Sequence, residues 1–314
     1  MAIMIFDVTP YRDLYPFDSR WLDRDGLRYH YLDEGQGDPV VCVHGNPTWS
    51  FYFRELIKNL RADHRVIAGD HIGCGLSDKP GDDRYDYVLR RRVEDLEALI
   101  DHLDLGENIT LVLHDWGGMI GSAVAVRRPE RIQRIVLLNT AAFMKPPDKP
   151  LPIRLWLIRN IAPFAAVAVR GFNAFSYLAT HMACKTPMDP RVRAAFTGPY
   201  NSWQNRIATL RFVQDIPMRP GDPSFDLAKS VDDSLEKLSD IPMFIGWGKQ
   251  DFVFDDAFLA EWRRRFPNAD VHEFPQAGHY VLEDVPDLLI PKIRDFLQTH
   301  PLRTLPPVAT EVAS

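Results

Sequence analysis

The chain has 314 residues, a net charge of −6 from 37 basic and 43 acidic side chains, and 46% hydrophobic residues. That is enough for two domains of about 150 residues, or for one large domain with an insertion, and enough apolar content for a core without staples. Interspersed charges of slightly acidic balance exclude the basic stripe of a nucleic-acid binder, and three cysteines (Cys42, Cys74, Cys184) without CxxC spacing exclude a disulfide framework and a zinc site and suit a reducing cytoplasm.

The first residues lack a basic segment followed by an apolar stretch and a cleavage site, so no export signal is expected. Residues 27–32 alternate and are expected as an edge strand. Short β-branched runs predict strands at 40–43, 64–68, 109–113, 135–138 and 243–246. Between them Val93, Leu96, Leu99, Ile100 and Leu103 keep helical spacing, and further helices are expected after Trp116 and after Asp255. From Pro146 to Pro242 no strand is expected; the stretch reads as helical. A helix at 256–266, a strand at 271–274 and a closing helix at 286–299 follow.

This alternation predicts an α/β chain with a mostly parallel sheet flanked by helices. The expected division is a first core part at 1–141, a helical cap at 142–240 inserted between two strands, a second core part at 241–300, and a disordered tail at 301–314. The most apolar stretch, 151–184, is interrupted by Arg154, Arg159, Pro163 and Arg170. It falls short of the ~18 uninterrupted apolar residues that a transmembrane segment needs.

The strongest local signal is Leu113-His114-Asp115-Trp116-Gly117-Gly118, after a buried strand and before a helix. A sharp strand-to-helix turn exposes its central residue at the carboxyl end of a sheet. Asp115 stands where a nucleophile would, and a carboxylate can displace a leaving group from an sp³ carbon. Its alternative role is a helix N-cap. His44-Gly45-Asn46-Pro47 follows another strand and can aim donors at the same end. The N–H groups of Asn46 and Trp116, main-chain and side-chain, are candidate holders of a developing anion. His279, in Ala277-Gly278-His279-Tyr280, is the candidate base, and Asp251, past the strand at 243–246, its orienting acid. Asp255 and Asp256 are weaker rivals, and the other position where such folds keep this acid carries Asn139. The order nucleophile, acid, histidine is that of the α/β hydrolase triad.

The segments HGNPTWS at 44–50, DHIGCGLSDKP at 70–80, HDWGG at 114–118 and the Gly278-His279 pair resemble the haloalkane dehalogenase group of α/β hydrolases, from about Tyr15 to Leu297. The segments VRGFNAFS at 169–176 and RFVQDIP at 211–217 resemble, more narrowly, the OleB-type β-lactone decarboxylases of long-chain olefin biosynthesis. That resemblance implies conversion of cis-3,4-dialkyl β-lactones to cis-alkenes and CO₂ without a metal or organic cofactor. Asp115 would attack either the ring carbon bearing the lactone oxygen or the lactone carbonyl. It also implies a hydrophobic small-molecule substrate and assembly with a thiolase-like condenser, a β-lactone synthetase and a reductase. The same residues would serve a haloalkane dehalogenase, with His279 activating water. An epoxide hydrolase wants paired cap tyrosines, a pattern that Tyr177 and Tyr200 lack, and a non-catalytic binder would not need Asp115.

Other segments read as structural. Residues 90–92 and 263–265 are Arg triplets expected on solvated helix faces. Residues 73–78 lack the features of a phosphate loop. His114, His71 and Tyr280 are expected to pack around the site. Residues 149–185 carry five basic and no acidic side chains, expected as a cap core and pocket roof, with an interaction surface as the alternative.

Overall fold

A computed structural model describes residues 6–146 and 149–302; the tail expected at 301–314 therefore lies almost wholly outside the described residues. Eight strands among the described residues, β1 (Arg20–Arg24), β2 (Leu27–Glu34), β3 (Asp38–Val43), β4 (His64–Gly69), β5 (Ile109–Asp115), β6 (Ile132–Thr140), β7 (Met243–Gly248) and β8 (Asp270–Phe274), form one sheet. Its order is β1-β2-β4-β3-β5-β6-β7-β8, antiparallel at β1/β2 and β2/β4 and parallel from β4 to β8.

The inner parallel strands β4, β3, β5, β6 and β7 are buried on both faces over most of their length, which explains their continuous apolar runs, whereas the edge strand β8 is only partly buried. Side chains alternate between two cores: Val41, Val43, Leu111 and Leu113 face one, Val40, Cys42 and Val112 the other. Helices Leu89–His102, Trp116–Arg127 and Asp256–Arg265 cover the first face, and Arg54–Leu60 and Pro286–Thr299 the second. Among the described residues between Thr140 and Met243 there are helices, from Ile153–Asn160 to Phe225–Ser234, and no strand. No helix of the described residues is long and apolar enough to cross a membrane.

Two expectations are corrected. The strand at 27–32 is not at the edge: β1 lies outside it, joined through Asp25 and Gly26, both at positive φ, as a tight hairpin suits. Arg20-Trp21-Leu22-Asp23-Arg24 is too charged and exposed to read as a strand from its own pattern. The Arg90–Arg92 triplet is not one solvated face either. Arg90 is exposed and Arg91 pairs with Asp25, but Arg92 is fully buried, because it lies one helical turn from Leu89 and Leu96 on the core side.

Candidate active site

β5 ends at Asp115, whose backbone turns at φ 52° and ψ −125° directly into helix Trp116–Arg127. A non-glycine residue held there costs about 1–3 kcal/mol. The turn is feasible because its neighbours are small: a Cβ on Gly117 would lie 1.9 Å from the Val43 carbonyl oxygen, and one on Gly45 would lie 2.0 Å from Asp115 Oδ1. The Thr140 hydroxyl, 2.5 Å from the Asp115 carbonyl oxygen, holds the turn from β6. Asp115 does not cap the helix through its side chain. Its carboxylate instead accepts the Asn46 backbone N–H at 2.6 Å and faces His279 Nε2 at 3.4 Å.

His279 lies in the loop after β8, and its Nδ1 is 2.7 Å from Asp251 Oδ2. Asp251 follows β7 and accepts the Val253 N–H at 2.7 Å through its other oxygen. Asn139, at the end of β6, fixes this acid: its Nδ2 donates to Asp251 Oδ2 at 3.1 Å and to the Gly248 carbonyl at 3.0 Å, while its Oδ1 accepts the Gly248 N–H at 2.8 Å. The sequence pointed to this position only as one where an acid is lacking. The rivals are otherwise engaged: Asp255 caps helix Asp256–Arg265 and pairs with Lys149, and Asp256 pairs with Lys249 at 2.6 Å. His114 and His71 are buried beside the site; His114 stacks on Tyr52 at 4.3 Å and its Nε2 donates to the His279 carbonyl at 3.0 Å.

The charges follow from this packing. Burial opposes the charged form of His279, but Asp251 and Asp115 on either side outweigh it and lift its pKa to about 10. Burial likewise opposes ionisation of Asp115, and the hydrogen bond and charge of His279 with the Asn46 N–H reverse that, leaving the carboxyl below its usual range. His114 is pushed down to about 3 by burial and by the neighbouring His279 cation, so it is neutral. At neutral pH the site therefore sets a His279 imidazolium against the Asp115 carboxylate.

Asn46 and Trp116 flank Asp115 on the cavity side. One amide N–H of Asn46 donates to the Thr209 carbonyl at 3.0 Å, which leaves the other for a ligand. Phe212, on the same helix Ile207–Gln214, packs on Trp116 at 5.5 Å. Behind it the buried Arg92 guanidinium stacks on Phe212 at 3.7 Å and reaches Asp215 at 3.3 Å. Asp215 also accepts the Leu89 N–H at 2.8 Å and the Ser224 hydroxyl at 2.7 Å. In the sequence Arg92 is expected on a solvated face, and Phe212 and Asp215 stand out only within RFVQDIP. Arg92→Met should lower stability by about 3–5 kcal/mol, because Asp215 then stays buried without its cation. Urea unfolding checks this, and adding Asp215→Asn should recover much of the loss.

Above the carboxylate lies a cavity of about 720 Å³, walled by apolar side chains such as Phe143, Leu157, Ala179, Val213 and Phe258. A large greasy pocket with a few converging polar groups at its floor is the form of a small-molecule site.

The family profile for the alpha/beta hydrolase fold matches residues 38–286. A cis-3-alkyl-4-alkyloxetan-2-one decarboxylase of Shewanella oneidensis is 55% identical, over 93% of this chain and 92% of the relative. One of Xanthomonas campestris pv. campestris is 45% identical, over 92% and 98%. Among solved structures, a haloalkane dehalogenase of Agrobacterium tumefaciens superposes with a TM-score of 0.79 at 25% identity, covering 90% of this chain and 97% of that one. The chain belongs to the α/β hydrolase fold family and, within it, to the family of the cis-3-alkyl-4-alkyloxetan-2-one decarboxylases, with the haloalkane dehalogenases as more distant relatives.

Proposed function

We propose that this chain decarboxylates cis-3,4-dialkyl β-lactones to cis-alkenes and CO₂. The observation that carries the mechanism is the 2.6 Å bond from the Asn46 backbone N–H to Asp115 Oδ1. A donor that would otherwise face a carbonyl oxygen aligns the attacking carboxylate instead, which favours displacement at the sp³ ring carbon over attack at the carbonyl. The relatives named as decarboxylases, at 55% and 45% identity, supply the substrate class, and the apolar cavity suits its alkyl chains.

Asp115 attacks C4 of the ring and the C4–O bond breaks, giving an alkyl ester on Asp115 and a free carboxylate on C3. The free N–H of Asn46 and the indole N–H of Trp116 hold that carboxylate. The C3–carboxylate bond then breaks, its electron pair forms the C3–C4 double bond, and Asp115 departs as a carboxylate stabilised by the His279 cation. Attack inverts C4; anti departure from the inverted carbon returns the alkyl groups to the same side, so a cis-lactone yields a cis-alkene. Water takes no part. A water activated by His279 would divert the ester to a hydroxy acid, and the apolar cavity walls limit water near it. The same reading includes a cytoplasmic setting, which suits three buried free thiols, and assembly with the β-lactone synthetase and reductase of the route.

A lactone carrying ¹⁸O at the ring oxygen tests the route. The expected products are cis-alkene and CO₂ that carries the label when it is swept into the gas phase before it exchanges oxygen with water. Label in the Asp115 peptide would point to carbonyl attack, and absence of alkene would overturn the function.

A further inference from the structure

Eight of the twelve large, exposed apolar side chains among the described residues fall between Ile153 and Leu178, on the helices that roof the cavity. Phe172 is 78% exposed, Ile153 67% and Val167 54%. Such a concentration is far from the scattered single residues of an ordinary surface. Ile153, Phe164 and Leu178 also line the cavity, so its apolar wall continues onto the outside of the cap.

The same stretch has no acidic residue. Arg159 is not part of a free surface, since it pairs with Asp222 at 2.6 Å, and Lys149 pairs with Asp255. Arg170 is different: it stacks on the half-exposed Trp203 at 4.7 Å, donates to that residue's carbonyl at 3.1 Å, and has no carboxylate partner among the described residues. The nearby Asp82 is taken by Arg211 at 2.5 Å. Arg154 contacts the Met182 sulfur, again without a carboxylate.

We infer that this face of the cap docks on an anionic lipid bilayer. Apolar side chains beside unpaired arginines match the acyl boundary and the phosphate layer together, whereas an acidic protein surface would satisfy only the charges. The inference deepens the proposed function: a lactone with two long chains partitions into lipid, and a cavity whose wall continues into the docking face admits it without a passage through water. The alkene product leaves by the same face.

Co-sedimentation of the full chain with phosphatidylcholine vesicles, with and without phosphatidylglycerol, tests this. Binding is expected to the mixed vesicles and to fall with salt. Arg170→Gln should weaken it about fivefold, and the double variant Val167→Ser/Phe172→Ser on the order of tenfold or more. Turnover of a detergent-dispersed lactone should stay at the unaltered chain's level in both variants, since none of the three residues lines the cavity. No binding to either vesicle, or equal binding by the variants, overturns the inference. Alkene formation in detergent tests the catalytic proposal separately, so failure of one is distinguishable from failure of the other.

Discussion

Replacing Asp115 with Asn is expected to reduce alkene formation by on the order of 10⁴-fold or more, the scale for removing a covalent nucleophile. The substitution keeps shape and leaves an oxygen for the Asn46 N–H, so the turn at φ 52° and the contact with Thr140 should survive. What disappears is the charge. An amide cannot displace the lactone oxygen, and it cannot leave as a stable anion when the double bond forms. His279 reports the same change independently: with one of its two carboxylates neutral, its pKa should fall from about 10, since burial already pushes it down. Single-turnover alkene yield and the imidazole NMR titration are the two readouts. An Asp115→Asn protein that kept a tenth of its activity would rule out a covalent route.

The second large effect is expected at Asp251. Asp251→Asn should cut turnover by about 10²–10⁴-fold at neutral pH, by analogy with the loss of an orienting carboxylate from a triad. The neutral amide can no longer hold the imidazolium at 2.7 Å, so the cation that assists Asp115 departure is lost. The pH dependence has a definite sign. His279 titrates near 10 in the folded chain against an ordinary 6.5, so its contribution to stability is complete below 6.5 and disappears as pH rises through about 10. Activity that needs the cation should follow the same limb. In Asp251→Asn both the alkaline loss of activity and the alkaline loss of stability should move to lower pH. Rate and urea-midpoint profiles between pH 6 and 11 check this; an unmoved alkaline limb would assign that limb to another group.

The parts legible in the sequence are those whose signal is local. Residues 109–113 read as a strand because parallel strands buried on both faces are continuously apolar, and Asp115 stood out because a charged residue between such a strand and a small-residue helix start has few structural reasons to be there. Chain order then linked it to His279 and Asp251, and the fold places His279 3.4 Å from Asp115 and 2.7 Å from Asp251. The missed features depend on distant partners. β1 is a strand because β2 offers it hydrogen bonds, not because its own residues alternate. Arg92 looked like the third member of a solvated triplet; besides the Tyr87 carbonyl at 2.8 Å, it is Asp215 and Phe212, more than a hundred residues away, that make its burial tolerable. Asn139 shows the subtlest case, since the residue type that argued against an acid at that place is what fixes the acid at Asp251.

This carboxylate site is expected to act on a lactone, although the dehalogenase relatives share its fold. A long-chain cis-3,4-dialkyl β-lactone and, in parallel, a long-chain 1-haloalkane separate the two activities, with alkene measured by gas chromatography and halide by ion chromatography. The prediction is cis-alkene from the lactone, abolished in Asp115→Asn, with little or no halide released. Halide release without alkene would contradict it.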